Sequence, residues 1–301
     1  MSTTPDISAC MVTLNVSGYI RDCLQSLIET SQGLSLEIIV VDNHSTDGTV
    51  EILKSEYASQ VRLVENSQNE GFVRPTNQAM RLSGGRYLLW LNPDTIIHPG
   101  ALQSLVAFME NHPQVGICGP KVLNRDGTMQ KPCRRGVSRP WATFSYFSGL
   151  WKLFPKSKLF GGYLLNYLDE DATHACDGVS GSCMLVRREV LDQIGYVDEQ
   201  FFAYQDDADY CFQAQKAGWE IFYVPTAQIT HFGGQGGSRS QPYRSIYEWH
   251  RSYYLYYRKN LAADYFFLFN WLYYSIMLIK LAMALLINVF RKEKYIGPKR
   301  G

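Results

Sequence analysis

Strands and helices take turns along the first 120 residues, and this alternation constrains the fold more than any other feature. Residues 7–16 and 36–43 read as buried strands, the second carrying Ile38-Ile39-Val40-Val41. Between them, apolar residues at Ile20, Leu24, Leu27 and Ile28 give 19–30 the spacing of one helix face. Residues 61–66 and 87–92 repeat the strand pattern around a helix over 76–82. A further helix over 101–111 is stopped by His112-Pro113. The pattern predicts right-handed βαβ units and a mostly parallel sheet with helices on both faces. Ligands of such sheets bind beyond the carboxyl ends of the strands. That rule selects Thr13 to Asn15, Asp42 to Asp47 and Asn92 to Asp94.

From about residue 125 to 176 the pattern decays. Pro132, Pro140, Pro155, Gly161-Gly162 and many aromatics suggest a long, partly ordered insertion. Regularity returns with a strand at 179–186, a short helix near 189–194, a helix over 206–217 and a strand at 220–224. A glycine-rich run, 233–238, is expected to be a flexible loop after His231.

Composition narrows the classes. Of 301 residues 46% are hydrophobic and 19% charged, which supplies a core and excludes wholesale disorder. Twenty-nine basic against 28 acidic residues leave +1, giving a nucleic-acid binder no footing. Seven scattered cysteines with no C-x-x-C pair argue against a zinc site or a secreted disulfide framework and fit a reducing compartment. The start contains Asp6 and no apolar signal core, so a cleaved export signal is not expected.

Five segments offer chemistry. Asp42 stands at a strand end, where a carboxylate can accept from a ribose or base; an Asx-type turn and helix cap account for Ser45 and Asp47 equally well. In Asn92-Pro93-Asp94-Thr95, Asp94 suits a divalent ion holding a diphosphate, and a capping turn explains it as simply. Asp206-Asp207-Ala208-Asp209 opens a helix, where unpaired N–H groups favour acids. Capping would use Asp206 as N-cap and Asp209 near the third position, leaving Asp207 as a general base for an acceptor hydroxyl. His231 precedes Gly233 and Gly234, which permit backbone approach to phosphate; as a metal ligand its imidazole suits Mn2+ somewhat better than Mg2+. Arg74, near a helix start, can pair with a phosphate or with an acidic neighbour. Trp219, Tyr204 and the aromatics of 141–151 can stack on sugar rings or fill the core.

Together these segments resemble glycosyltransferase family 2, in its rhamnosyltransferase and galactofuranosyltransferase-like branch, over roughly residues 8–237. The resemblance rests on Val41-Asp42-Asn43 with Ser45-Thr46-Asp47-Gly48, Asn69-Glu70-Gly71-Phe72, Leu91-Asn92-Pro93-Asp94-Thr95, Gly181-Ser182-Cys183-Met184, Asp206-Asp207-Ala208-Asp209 and His231, in that order. It implies a GT-A fold and inverting transfer from a nucleotide-diphosphate sugar. Thr13, Asn15, Asp42, Ser45, Arg74, Asn92 and Asp94 would lie on the donor side, and Asp206 and Trp219 on the acceptor side. Asp207 would be the base, and Asp94 and His231 the ligands of Mn2+ or Mg2+. Residues 1–123 would form the nucleotide-binding half and 124–237 the acceptor and catalytic half. Two departures from the family pattern stand out: Asn92 replaces the first carboxylate of D-x-D, and Asp206 stands where relatives often have Glu. Family likeness favours dTDP-rhamnose as donor, with a glycan or lipid-linked glycan as acceptor. Asn92 motivates the alternative of a donor-binding scaffold without turnover. A nucleotidylyltransferase lacks support, because no Gly-rich, Arg-containing loop follows the first strand.

The C-terminal part, 238–301, contains an apolar run over 266–290 broken by Asn270, Lys280 and Asn288. It reaches the roughly 20 residues that cross a bilayer. Lys280 costs about 2.5–3.5 kcal/mol against roughly 3–6 returned by Leu, Ile, Val and Phe, so spanning and lying in the interface are nearly balanced. Arg258 and Lys259 on one side and Arg291, Lys292 and Lys294 on the other give no orientation. Trp271, Tyr273 and Tyr274 suit an interfacial anchor. Attachment to the cytoplasmic face of the plasma membrane is expected, with a buried helix in a homodimer as the alternative.

Overall fold

The computed structural model describes residues 4–233 and 242–290. The expected loop residues Gly234 to Ser238 and the basic Arg291, Lys292 and Lys294 lie outside them. Four parallel strands form one side of the main sheet: β1 (Ile7–Thr13), β2 (Leu36–Asp42), β3 (Val61–Glu65) and β4 (Tyr87–Leu91), in the order β3-β2-β1-β4. Helices α1 (Ile20–Thr30), α2 (Thr49–Glu56) and α3 (Val73–Leu82) connect them. The β1–β2 register sets Thr13 beside Asp42, so two candidate residues meet at the strand ends.

Beyond β4 the direction of pairing changes. β5 (Thr95–Ile97), α4 (Ala101–Asn111) and β6 (Val115–Leu123) come next in the chain, followed by the short β7 (Arg134–Arg135). Residues 140–161, expected to be part of a loosely ordered insertion, instead form three helices: α5 (Pro140–Ser148), α6 (Leu150–Leu153) and α7 (Lys158–Gly161). Tyr163, Leu164 and Leu165 behind them are buried, which is why this segment is tied down. Short β8 (His174–Ala175) and β9 (Gly178–Val179) precede β10 (Cys183–Arg187) and α8 (Arg188–Ile194). The strand expected over 179–186 is therefore two strands, separated at Ser180 to Ser182.

The last helix and strand of the sheet domain are α9 (Asp206–Lys216) and β11 (Glu220–His231). The main sheet runs β3-β2-β1-β4-β10-β6-β11-β5, with β8 also pairing antiparallel to β11, β10 antiparallel to β4 and β6, and β11 parallel to β6 but antiparallel to β5. The β11–β5 register pairs His231 with Thr95, the neighbour of Asp94. Among the described residues, two long helices follow, α10 (Pro242–Asn260) and α11 (Phe267–Phe290).

Candidate active site

At the ends of β1 and β2 the chain closes on itself around Asp42. Its carboxylate, 1% exposed, accepts from Thr13 Oγ1 at 2.8 Å, from the Ser45 N–H at 2.8 Å and from Ser45 Oγ at 2.6 Å. Asn15 joins through its N–H to Ser45 Oγ and accepts the Thr46 N–H at its side-chain oxygen. Thr13, Asn15, Asp42 and Ser45 are thus one connected cluster. Asn15 and His44 hold φ values of 54° and 75°, uncommon for residues with a Cβ and typical of built functional loops. Arg74 stands apart, 57% exposed, with its Nε 3.6 Å from a Glu199 carboxylate oxygen.

A second cluster forms where β4 ends. His231 Nε2 lies 3.2 Å from Asp94 Oδ1 and 3.2 Å from Asn92 Nδ2, with all three side chains largely withdrawn from solvent. The other ring nitrogen, Nδ1, meets Gln130 Oε1 at 3.1 Å, while Gln130 Nε2 donates to the His231 carbonyl at 2.6 Å. That second bond orients the Gln130 amide, so Nδ1 must be the donor. The remaining ring nitrogen, Nε2, is thereby aimed at Asp94 Oδ1 and the Asn92 amide. An imidazole nitrogen and a carboxylate oxygen, both groups that ligate divalent ions, thus stand side by side here. Among the described residues no group of three or more His, Cys, Asp or Glu gathers on one point, so the protein offers two ligands here and the Asn92 amide. Tyr19, from the turn before α1, packs 5.4 Å from Phe232, and Arg125 lies 4.6 Å over the same ring.

Asp207 sits at the start of α9. Its Oδ2 accepts the Gly181 N–H at 2.9 Å and pairs with Arg135 Nη2 at 2.6 Å, while Oδ1 accepts the Ala208 N–H at 2.7 Å. The next residue in the turn, Ser182, accepts the Asn92 N–H at its carbonyl, 3.0 Å away. A continuous path therefore runs from Asp207 through Gly181, Ser182 and Asn92 to His231 and Asp94. Tyr204 and Gln205, just before α9, have φ of 68° and 55°, a strained entry to the helix.

The capping roles expected of the neighbouring acids are corrected by the structure. Gln205 is the N-cap and no side chain caps the helix. Asp206 is buried in its first turn; burial, and then the Asp207 charge, push its carboxyl up to about 7. Asp209 bonds to Lys259 Nζ at 2.8 Å and Asn260 Nδ2 at 2.7 Å, fastening α10 to α9. Trp219 follows the far end of α9, an 11-residue helix about 16 Å long with Asp207 in its first turn. Its ring backs onto Gly116, where a Cβ would come within 2.8 Å, and lines a cavity of about 440 Å³ with Tyr167, Gln215 and Phe222. Neither that cavity nor one of about 270 Å³ walled by Lys131, Arg134 and Glu170 includes Asp94, Asp207 or His231. Arg135 and Gln130, absent from the sequence expectations, hold Asp207 and His231; the only local signal was the pair Arg134-Arg135 within an aperiodic stretch.

The sequence model of glycosyl transferase family 2 matches residues 8–195. The N-acetylglucosaminyl-diphospho-decaprenol L-rhamnosyltransferase of Mycobacterium tuberculosis is 28% identical over 257 residues, 81% of this chain and 81% of that protein. A low-salt glycan biosynthesis hexosyltransferase of Haloferax volcanii is 26% identical over 65% of this chain and 58% of its own length. Among solved structures, GalNAc-T7 with UDP, GalNAc and Mn2+ superposes with a TM-score of 0.57 at 15% identity, covering 85% of this chain and 50% of that one. A Pyrobaculum calidifontis mannosyltransferase with GDP-Man and Mn2+ gives 0.55 at 19% identity, covering 84% and 64%. At these identities the structural likeness speaks for the fold, and the fold is GT-A.

Proposed function

The chain belongs to glycosyltransferase family 2, and on that premise we propose that it moves a sugar, with inversion, from a nucleotide-diphosphate donor to a glycan or lipid-linked glycan acceptor in cell-surface polysaccharide synthesis. Glycosyl transfer itself follows from the family. The favoured donor is dTDP-rhamnose. The mycobacterial relative, whose name joins a rhamnosyl group to a decaprenyl diphosphate, supports both the donor and a lipid-linked acceptor. The observation that carries the reading is the hydrogen-bonded path from Asp207 to Asp94 and His231. Residues 1–123 would bind the nucleotide, with Thr13, Asn15, Asp42 and Ser45 shaping the strand-end loops and Arg74 at the margin. Residues 124–237 would bind the acceptor, with Asp206 beside the base and Trp219 in a more distant subsite. Residues 238–301 would attach the enzyme to the cytoplasmic face of the plasma membrane.

Asp207 acts as general base in this reading. Three donors hold its carboxylate, and a carboxylate has about four acceptor positions, so one remains for an acceptor hydroxyl. The hydroxyl oxygen bonds to the anomeric carbon as the bond to the diphosphate oxygen breaks. Its proton goes to Asp207, and the electron pair leaves with the nucleoside diphosphate. Attack from the face opposite the leaving group inverts the centre, and an oxocarbenium-like transition state asks little of the base. Asp94 Oδ1 and the adjacent His231 Nε2 would hold a divalent cation, an oxygen and nitrogen pair that suits Mn2+ over Mg2+. When bound, that cation supplies positive charge to the departing diphosphate. The Mn2+ in two GT-A neighbours supports this assignment.

The test begins with a thermal-shift screen of nucleotide sugars with and without Mn2+, followed by release of nucleoside diphosphate in the presence of acceptor. Asp207→Asn should lower turnover by about 10²–10⁴ and leave donor affinity nearly unchanged. Full activity in that variant overturns the base assignment. Asn92, where a second carboxylate would stand, supports the other reading, a donor-binding protein without turnover; donor binding with no turnover across a broad acceptor panel would favour it.

A further inference from the structure

Of the 22 large hydrophobic side chains exposed among the described residues, six fall in 141–159 and thirteen in 266–290. These two stretches are neighbours in space. Thr143 Oγ1 on α5 lies 3.2 Å from the Tyr273 hydroxyl on α11, and Lys280 Nζ stands 3.6 Å from the ring centre of Phe147. The outward side chains of α5 to α7 and of α11 therefore form one continuous apolar surface.

Lys280 decides how that surface meets its partner. The less exposed stripe of α11 runs through Tyr273, Met277, Lys280, Ala284 and Asn288, at helical spacing. It packs along α10: Tyr273 is 4.4 Å from Tyr257, Tyr274 is 5.2 Å from Tyr254, and Lys280 is 4.1 Å from Trp249. The ammonium that spoils the sequence as a membrane span is thus turned inward onto aromatic faces, where it is attracted to the ring electrons. A helix crossing the bilayer would have to strip Lys280 from these rings or take α10 with it. The second course is closed, because Lys259 at the end of α10 is fastened to Asp198 and Asp209 of the globular domain at 2.8 Å each.

We propose that α5 to α7 and the outer face of α11 together rest on an anionic lipid bilayer, with α11 lying in the plane of the interface and not across it. Charge selects this occupant. Residues 140–160 and 267–290 contain no acidic residue, and Lys152, Lys156 and Lys158 are exposed among the apolar Leu153, Phe154 and Leu159. Anionic headgroups satisfy those lysines while acyl chains receive the apolar side chains. A second copy docked on the same face would bring no carboxylate to them. The surface also lies close to the site. Tyr253, its ring 6.0 Å from Lys280, bonds to Tyr163 at 2.9 Å, and the Tyr163 carbonyl accepts the N–H of Gly136, the neighbour of Arg135, at 2.9 Å. A lipid-linked acceptor would then be presented one layer of side chains from the base; this last step rests on the acceptor reading, whereas the docking surface does not.

All seven native cysteines are buried, so single exposed cysteines can be labelled selectively in the full chain. Leu272→Cys, Ile279→Cys and Leu286→Cys place a depth-sensitive fluorophore along the outer face. On phosphatidylglycerol-containing vesicles, quenching by lipids brominated at graded depths should give one shallow depth for all three. A deep label at 279 between shallow labels at 272 and 286 means a span and overturns the proposal, as does a lipid-free dimer that shields all three labels. Leu153→Ser/Phe154→Ser/Leu159→Ser, verified as folded by its thermal melt, should weaken vesicle binding at least tenfold; unchanged binding removes α6 and α7 from the surface. Vesicle binding without transfer of any sugar would sink the enzymatic reading alone, and transfer to a soluble acceptor without vesicle binding would sink this one alone.

Discussion

Arg135 and Asp207 face each other at 2.6 Å with side chains only 11% and 16% exposed. A pair this withdrawn from water contributes modestly as a pair, yet removing one member strands the other's charge. Arg135→Gln should therefore lower stability by about 3–5 kcal/mol, read by urea unfolding. Arg135→Lys should recover part of this, since a lysine restores the charge without the guanidinium's second bond to the Val179 carbonyl. Turnover should fall more than donor affinity in both variants, because the carboxylate they release is the base. A Gln variant as stable as the parent would mean the pair does not hold Asp207 in place. Asp206 makes a different prediction, from pH. Its folded carboxyl is raised to about 7 by burial and then by Asp207, from an ordinary value of 3.8. Between these values only the folded state keeps the proton, so this group's contribution to stability declines as pH rises from about 4 to 7 and is level above. Asp206→Asn stays neutral throughout. The stability of the variant relative to the parent should climb across that window in thermal melts; a constant difference from pH 4.5 to 8 would show that Asp206 titrates normally.

At the scale of elements, legibility in the sequence follows how completely one local period governs each segment. The first four strands and the helices α1, α3 and α4 emerge because their apolar spacing is uninterrupted, with only end shifts such as α3 beginning at Val73 instead of Thr76. β6 was unreadable for a physical reason: Val115–Leu123 contains Gly116, Gly119 and Pro120, residues that weaken a strand pattern. The structure requires two of them, since a Cβ on Gly119 would come within 2.7 Å of Val179 and one on Gly116 within 2.8 Å of Trp219. β11 was read only to Val224 because Pro225 lies in a register shift between Val224 and Gln228, after which pairing resumes and carries the strand to His231. Gly71 shows the reverse, a motif residue whose reason becomes visible only in three dimensions: φ is +90° and an added Cβ would stand 2.6 Å from the Phe202 carbonyl oxygen. The candidate acids and His231 could be picked from their positions at strand and helix ends. Arg135 and Gln130 could not, because a stretch without periodicity gives no hint of what it faces.

For the whole molecule, the arrangement of Asp94 and His231 joins distant parts of the chain. Asp94 falls between β4 and β5, His231 ends β11, and the β5–β11 pairing brings them together across 136 intervening positions. A ligand gripped by both must therefore stabilise the assembled sheet as well as its own loops. Any species that binds only the folded state at a hundred times its dissociation constant adds about 2.7 kcal/mol, which is roughly 4–8 °C in melting temperature for a chain of this size. Donor with Mn2+ should produce a shift of this order, and donor with EDTA a smaller one. His231→Asn and Asp94→Asn should each erase the difference between the two conditions while leaving the metal-free shift in place, because the cluster of Thr13, Asn15, Asp42 and Ser45 is untouched by either change. If the Mn2+ increment persisted in both variants, the cation would be held elsewhere, and the Asp94–His231 pair would be a structural contact of β5 with β11.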